Sequence, residues 1–265
     1  MSALRWPSMS PAAARLGYGI VSVGTVMVLW WALTSRGPIS PFLLPSPKAV
    51  IDGFQRISGG YLGPGIGGHL MASLSVVLSG YFAAVAIGVP LGVAMAWWPS
   101  VNTLFGPLVG ILRPIPPPAW IPLAILWFGI GLEGKMFVVF VAAVTPCLIN
   151  SYVAIKEIPP HLIDAARSLG ATPLTLLIEV AMPAGLPMVF AGLRIALGNA
   201  WASVVAAELV VATAGFGFIV MNGYRNFEAN VMMAGIIAVG VIGFLMSLGF
   251  RMLERRIVTW MDHVD

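Results

Sequence analysis

The feature that most restricts this chain is the recurrence of apolar runs long enough to cross a lipid bilayer. They extend from Gly17 to Thr34, Leu70 to Trp98, Ala119 to Leu132, Met136 to Ile155, Leu186 to Ala214 and Val231 to Phe250. Crossing roughly 30 Å of hydrocarbon takes about 20 such residues in a helix, and only helices or closed barrels satisfy every backbone group in lipid. The third run is short and follows a proline-rich stretch, so hydropathy alone does not fix its start. Composition agrees: 59% of the 265 residues are hydrophobic and 9% are charged, against roughly 25% charged in soluble domains. Charge this sparse cannot cover a globular surface, so the excess apolar surface faces lipid. The expectation is an all-α, polytopic membrane protein with about six transmembrane helices.

Charge at the segment ends orients the helices. With the N-terminus in the cytoplasm and six alternating spans, the cytoplasmic side holds Arg5, Arg15, Arg113, Lys156, Arg167, Arg251, Arg255 and Arg256. The opposite side holds Arg36, Lys48, Arg56, Lys135 and Arg225, and Arg194 falls inside a span. The excess has the sign of the positive-inside rule. The net charge of +4 therefore reflects orientation in the membrane, and no nucleic-acid partner is expected. Residues 1–16 lack a small-residue cleavage site and are expected as a cytoplasmic tail before a retained first helix. Residues 17–255 form the membrane domain, with a loop at 156–185, and 256–265 a cytoplasmic C-terminal tail.

Several chemistries have no support in the residues. There is no GxxxxGK[ST], no HExxH and no cysteine pair, and neither a catalytic nor a metal site is expected. The histidines His69, His161 and His263 stand far apart at segment ends, and Cys147 sits within an apolar run as a small hydrophobe. Gly63 to Gly68 matches GxGxxG spacing, but no strand precedes it, so it is a flexible loop. Pro38, Pro41, Pro45 and Pro47 make an extended entry to a short amphipathic helix over Ala49–Ile57 on the outer surface.

The most informative polar stretch runs from Pro159 to Pro183. Pro159-Pro160 suits a helix start, Leu162, Ala165, Ala166 and Leu169 recur at helical spacing, and Gly170 suits a C-cap. Thr172-Pro173 restarts a helix expected to end before Pro183. An amphipathic hairpin of this kind serves either as a connector on the inner leaflet or as a docking element for a soluble partner. The residues alone admit both.

The run Asp164-Ala165-Ala166, three residues, Gly170, nine residues, Val180-Ala181-Met182-Pro183 resembles the EAA signature of the permease subunits of ABC importers. Every spacing matches, with Asp164, Val180 and Met182 as conservative departures. The resemblance spans about Trp30 to Trp260. Arg113-Pro-Ile-Pro-Pro-Pro-Ala-Trp120 and Gly192-Leu-Arg194 through Glu208-Leu209 look like the branch carrying sulfonates, taurine, nitrate and related anions or heterocycles. It implies the type I importer permease fold and import of a small sulfonate, most nearly taurine, with alkanesulfonate or nitrate as alternatives. It implies too that Asp164, Ala165, Ala166, Gly170 and Pro183 couple the chain to an ATPase. The expected assembly is a homodimer of this chain with two ATP-binding cassette subunits, which hold ATP and Mg, and an external solute-binding protein. The chain itself binds no cofactor, is not an enzyme and lies in the bacterial inner membrane with both termini cytoplasmic. The competing classes are an ion-coupled secondary transporter, which the absence of paired intramembrane carboxylates disfavours, and a membrane enzyme.

Charges within spans are costly and call for a reason. Arg194, Trp201 and Glu208 are seven residues apart and fall within about 40° of one helix face. Such a seam suits a central cavity or a dimer interface, with Asn199 off it toward a neighbouring helix. Arg194 either faces the pathway or snorkels to the inner interface. Glu208 would repel an anion unless paired. Arg113, before its prolines, is a membrane-interface anchor or part of an inner gate. Gly88 and Gly92 form a GxxxG pair that allows close helix approach. The loop from Gly215 to Arg225 suits receptor contact, an outer gate or re-entrant packing. The candidate pathway residues are thus Arg113, Arg194, Asn199, Trp201 and Glu208.

Overall fold

A computed structural model describes residues 11–35 and 39–259; Arg5, Arg36, Pro38, Trp260 and His263, and with them most of both expected tails, lie outside. The apolar runs form helices α1 (Pro11–Ser35), α2 (Pro47–Ser58), α3 (Gly65–Trp97), α4 (Pro99–Leu112), α5 (Ile121–Phe128), α6 (Leu132–Lys156), α7 (Pro160–Ser168), α8 (Pro173–Val210), α9 (Phe216–Arg225) and α10 (Ala229–Ile257). No strand occurs among the described residues. Five of these helices are long and apolar enough to span a membrane; the α4–α5 pair, bent by 90°, meets the same test only when taken together, as a broken span or a re-entrant loop.

The third span is where the expectation changes. Instead of one helix over Ala119–Leu132, two helices meet at 90°: Pro99–Leu112, then Pro117–Phe128, whose first four residues are a 3-10 turn. Pro114, Pro116, Pro117 and Pro118 remove successive N–H donors and bar a continuous helix. Upstream, Pro99 and Pro107 do not stop α4: Pro99 sits at its start, where a missing N–H is harmless. Arg113 stands at the corner.

Helices α3, α6 and α8 form the core. Their closest approach is built on small residues. A side chain at Gly88 would press on the Cys147 Cβ and the Val144 carbonyl, each 2.9 Å away, and one at Gly92 would collide with the Leu148 carbonyl and Ser151. The GxxxG pair therefore seats α3 on α6 within one chain. α1 lies outside this core with its described side chains largely exposed, tied by Trp30 Nε1 donating to the Pro45 carbonyl at 3.0 Å.

The short helix α2 begins as its local chemistry demands. Ser46 Oγ accepts from the Ala49 N–H at 3.3 Å, and Pro47 takes the first turn. It buries Val50, Gly53 and Ile57 against the start of α10, and Arg56 pairs with Glu228 at 2.8 Å. The Glu228 carboxylate raises both the Arg56 guanidinium and the neighbouring Tyr61 phenol above their ordinary pKa values.

At the opposite end of the bundle, α8 overruns the expected stop at Pro183. Residues Leu176–Ala181 are π-helical, and the helix continues through Pro183 to Val210. The wider π turn makes room for a proline ring that a regular turn would drive against the carbonyl four residues back.

Candidate functional site: an exposed hairpin and a half-open cleft

The hairpin between α6 and α8 is set by its caps. Pro160 starts α7, and Leu169 to Ala171 end it in a Schellman arrangement: Ala171 N–H donates to Ala166 at 3.2 Å and Gly170 N–H to Arg167 at 3.0 Å. That motif needs a left-handed residue, and Gly170 supplies it with φ +88°. Thr172 then caps α8, its Oγ1 accepting from the Thr175 N–H at 3.3 Å. Asp164 and Ala165 are exposed, and Asp164 makes only a solvent-facing ion pair with Arg167 at 3.4 Å.

The hairpin has two faces. Ile163, Leu177 and Ala181 pack with Val93, Ala96 and Ile155 at the ends of α3 and α6. Leu162, Leu174 and Ile178 are exposed on the other side, and Leu169 is 89% exposed. No residue of α7 is fully buried. The element is thus rigidly joined to the core through one face while its apolar tip stands free.

The other candidates separate into three places. Arg113 and Asn199 meet in a cleft of about 340 Å³, lined also by Trp120, Phe137, Phe140 and Thr145. Arg194 and Trp201 share a different groove of about 240 Å³ beside Gly243 and Ser247. There Arg194 pairs with Glu254, and Trp201 Nε1 donates to the Val239 carbonyl at 3.0 Å. Glu208, only 2% exposed, is in neither. The seven-residue seam is therefore packed against other helices of the same chain, and Asn199, off the seam, reaches the cleft.

Glu208 anchors a buried polar knot at the α9 end. One carboxylate oxygen accepts from Ser73 Oγ at 2.7 Å and the other from Gly217 N–H at 2.9 Å. Ser73 Oγ also accepts from Phe216 N–H at 3.1 Å, and His69 Nδ1 accepts from Gly215 N–H at 3.0 Å. The start of α9 is an anion-binding helix terminus, and Glu208 fills it from within the chain. The segment after Gly215 is therefore a packed helix, with Phe216 and Ile219 buried, whereas Tyr224 is exposed.

Sequence reasoning passed over Ser73, His69, Thr145 and Trp120 as site residues. His69 and Ser73 are a polar pair four apart at a helix start, and Thr145 is a lone hydroxyl in mid-span. Those patterns were available, but nothing local says which neighbours they meet.

Fold and site define a multi-pass permease subunit of the ABC importer type. The model of the binding-protein-dependent transport system inner membrane component matches residues 88–259. The taurine transport system permease protein of Escherichia coli (strain K12) is 36% identical, covering 98% of this chain and 94% of that protein. The bicarbonate transport system permease protein of Synechococcus elongatus is 31% identical over 94% of this chain and 88% of its own length. Among solved structures, the inward-facing MetNI methionine ABC transporter is similar with a TM-score of 0.63 and 25% identity, covering 71% of this chain and 94% of that one. The chain belongs to the binding-protein-dependent transport system inner membrane component family, and it is a multi-pass inner-membrane protein.

Proposed function

We propose that this chain forms, as a homodimer, the translocation path of an ATP-driven importer for a small sulfonate, with taurine as the leading substrate. Two ATP-binding cassette subunits dock on the hairpin, hold ATP and Mg, and drive the chain between inward-open and outward-open states. An external solute-binding protein delivers the substrate, and both termini lie on the ATPase side.

One observation carries this reading: the hairpin of α7 is locked to α3 and α6 through Ile163 and Leu177 while Leu169 projects unpartnered from its tip. Force applied to that tip reaches the spans without a flexible joint, which is what a groove-seated helix transmitting motion requires. The homodimer is supported by α4, none of whose residues is buried, and by the cleft beside it, which is open. The sulfonate assignment is supported by the similarity to the taurine permease; bicarbonate is the competing cargo.

The test is affinity purification from native membranes in mild detergent. Recovery of an ATPase with a sulfonate-binding receptor is expected. An ATPase with a bicarbonate receptor would keep the mechanism and change the cargo. Absence of any ATPase from a dimeric preparation would overturn the reading.

A further inference from the structure

We propose that the cleft at the α4–α5 corner is an oxyanion-reading station, in which Arg113, Trp120, Thr145 and Asn199 bind the oxygens of a sulfonate with a short organic tail during its passage. This rests on the importer reading above and adds a site to it.

Depth is the first argument. Thr145 is 13 residues along α6 from Leu132, and Asn199 is 11 residues before Val210. At 1.5 Å per residue both lie about 16–20 Å below the α9 end, near the middle of the bilayer. Arg113, exposed at the α4–α5 corner, lines the same cleft and so faces the space that these mid-span groups share. An arginine facing such a space calls for water, a counter-charge or a ligand. Among the described residues no carboxylate lies within ion-pair distance of Arg113, whereas Arg194 is paired with Glu254.

The donor inventory is the second. Arg113 and Trp120 only donate, Thr145 and Asn199 are able to donate, and no acidic residue lines the cleft. Trp120 Nε1 is buried without a hydrogen-bond partner. Among the described residues the side chains of Arg113, Thr145 and Asn199 make no hydrogen bond within the chain, whereas Ser73, Ser79, Asn150 and Trp201 do. The buried indole N–H is the group that lacks an acceptor; Arg113 and Asn199 are exposed and Thr145 half-buried, so their donors are free to turn to a ligand in the same space.

Shape supplies the third. Phe137 and Phe140 also line the cleft, and Trp120 packs edge-on to Phe137 with ring centroids 6.1 Å apart. A volume of about 340 Å³ suits a small ligand. Aromatic rings beside a donor cluster suit an anion with an alkyl tail, or the ammonium end of taurine over a ring face, and give bicarbonate nothing to bury.

The experiment uses the permease–ATPase complex in nanodiscs, with taurine, an aliphatic sulfonate and bicarbonate as probes. Tryptophan fluorescence is expected to respond to both sulfonates at lower concentration than to bicarbonate. The response should vanish in Trp120→Phe and shift about tenfold to higher concentration in Arg113→Gln, the loss expected for a charge-assisted hydrogen bond. ATP-driven uptake in proteoliposomes with receptor should show the same order of half-saturation. Uptake with unchanged concentration dependence in both variants would overturn the station and leave the importer reading intact. A sulfonate response that needs Arg113 and Trp120 in a chain that drives no uptake would support the station and sink the importer reading instead.

Discussion

The α9 end and the hairpin end of this molecule use the same materials to opposite effect. At the α9 end, Glu208, Ser73 and His69 are buried, and four backbone or hydroxyl donors converge on them. At the hairpin end, Asp164 is exposed and pairs only with its neighbour Arg167, while Leu169 stands in the open. A polar group taken out of water destabilises the fold unless it is satisfied. Both Glu208 oxygens and the Ser73 hydroxyl are, while the His69 Nε2 is buried without a partner, and the knot ties three helices together. An apolar tip left in water gains nothing for this chain and is stable only because capping, not burial, shapes it. The first region is consumed by its own fold, and the second is left exposed, as the proposed docking role requires.

The largest effect is expected from removing the centre of the knot. Glu208→Ala leaves Ser73 and the Gly217 N–H without an acceptor and should lower stability by about 3 kcal/mol, seen as a lower thermal midpoint in detergent. Gly215→Ala tests the same region from the backbone. Its φ is +117° and an added Cβ would run into the Glu208 carboxylate, so a loss of about 2 kcal/mol is expected in the same assay. If either variant unfolds like the parent, the knot is not what fixes α9.

Substitutions in the hairpin should behave differently. Gly170→Val places a β-branched residue at φ +88°, in space that is otherwise open. It should destabilise the turn by about 1–2 kcal/mol, with little change in global unfolding but at least about a tenfold loss of ATP-driven uptake. Leu169→Ser is milder: a near-fully exposed side chain changes stability by less than about 0.5 kcal/mol, while ATPase capture by the permease should weaken several-fold. Unaltered capture would mean that the tip is not the docking surface. The smallest effect is expected at the surface pair, where Arg56→Ala removes a solvent-exposed contact with Glu228 and should change the thermal midpoint by the equivalent of less than about 1 kcal/mol.

The hairpin was legible from sequence because its signals are local. Pro160, Gly170 and Thr172-Pro173 act on backbone groups within four residues, and each does in the structure what its chemistry requires. Pro183 misled for the opposite reason: whether a proline ends a helix depends on the register upstream, and Leu176–Ala181 had already widened into a π turn. Hydropathy places the third run at Ala119–Leu132, and the prolines bar a helix just before it. What hydropathy misses is the separate helix Pro99–Leu112, so the prolines between Arg113 and Ala119 form the corner between two. The Arg194–Trp201–Glu208 seam was real as a helix face, but the face turned out to be occupied by Val239, Glu254 and Gly217.

What the sequence alone determined is therefore the helical membrane class, the caps of the hairpin and the family, since desolvation and capping are settled within one helix or one turn. The tertiary structure decided which polar residues are spent inside the chain and which are left for something else. That division depends on helix rotation and on neighbours more than a hundred positions away, as with Ser73 and Glu208, and no local energy term encodes it.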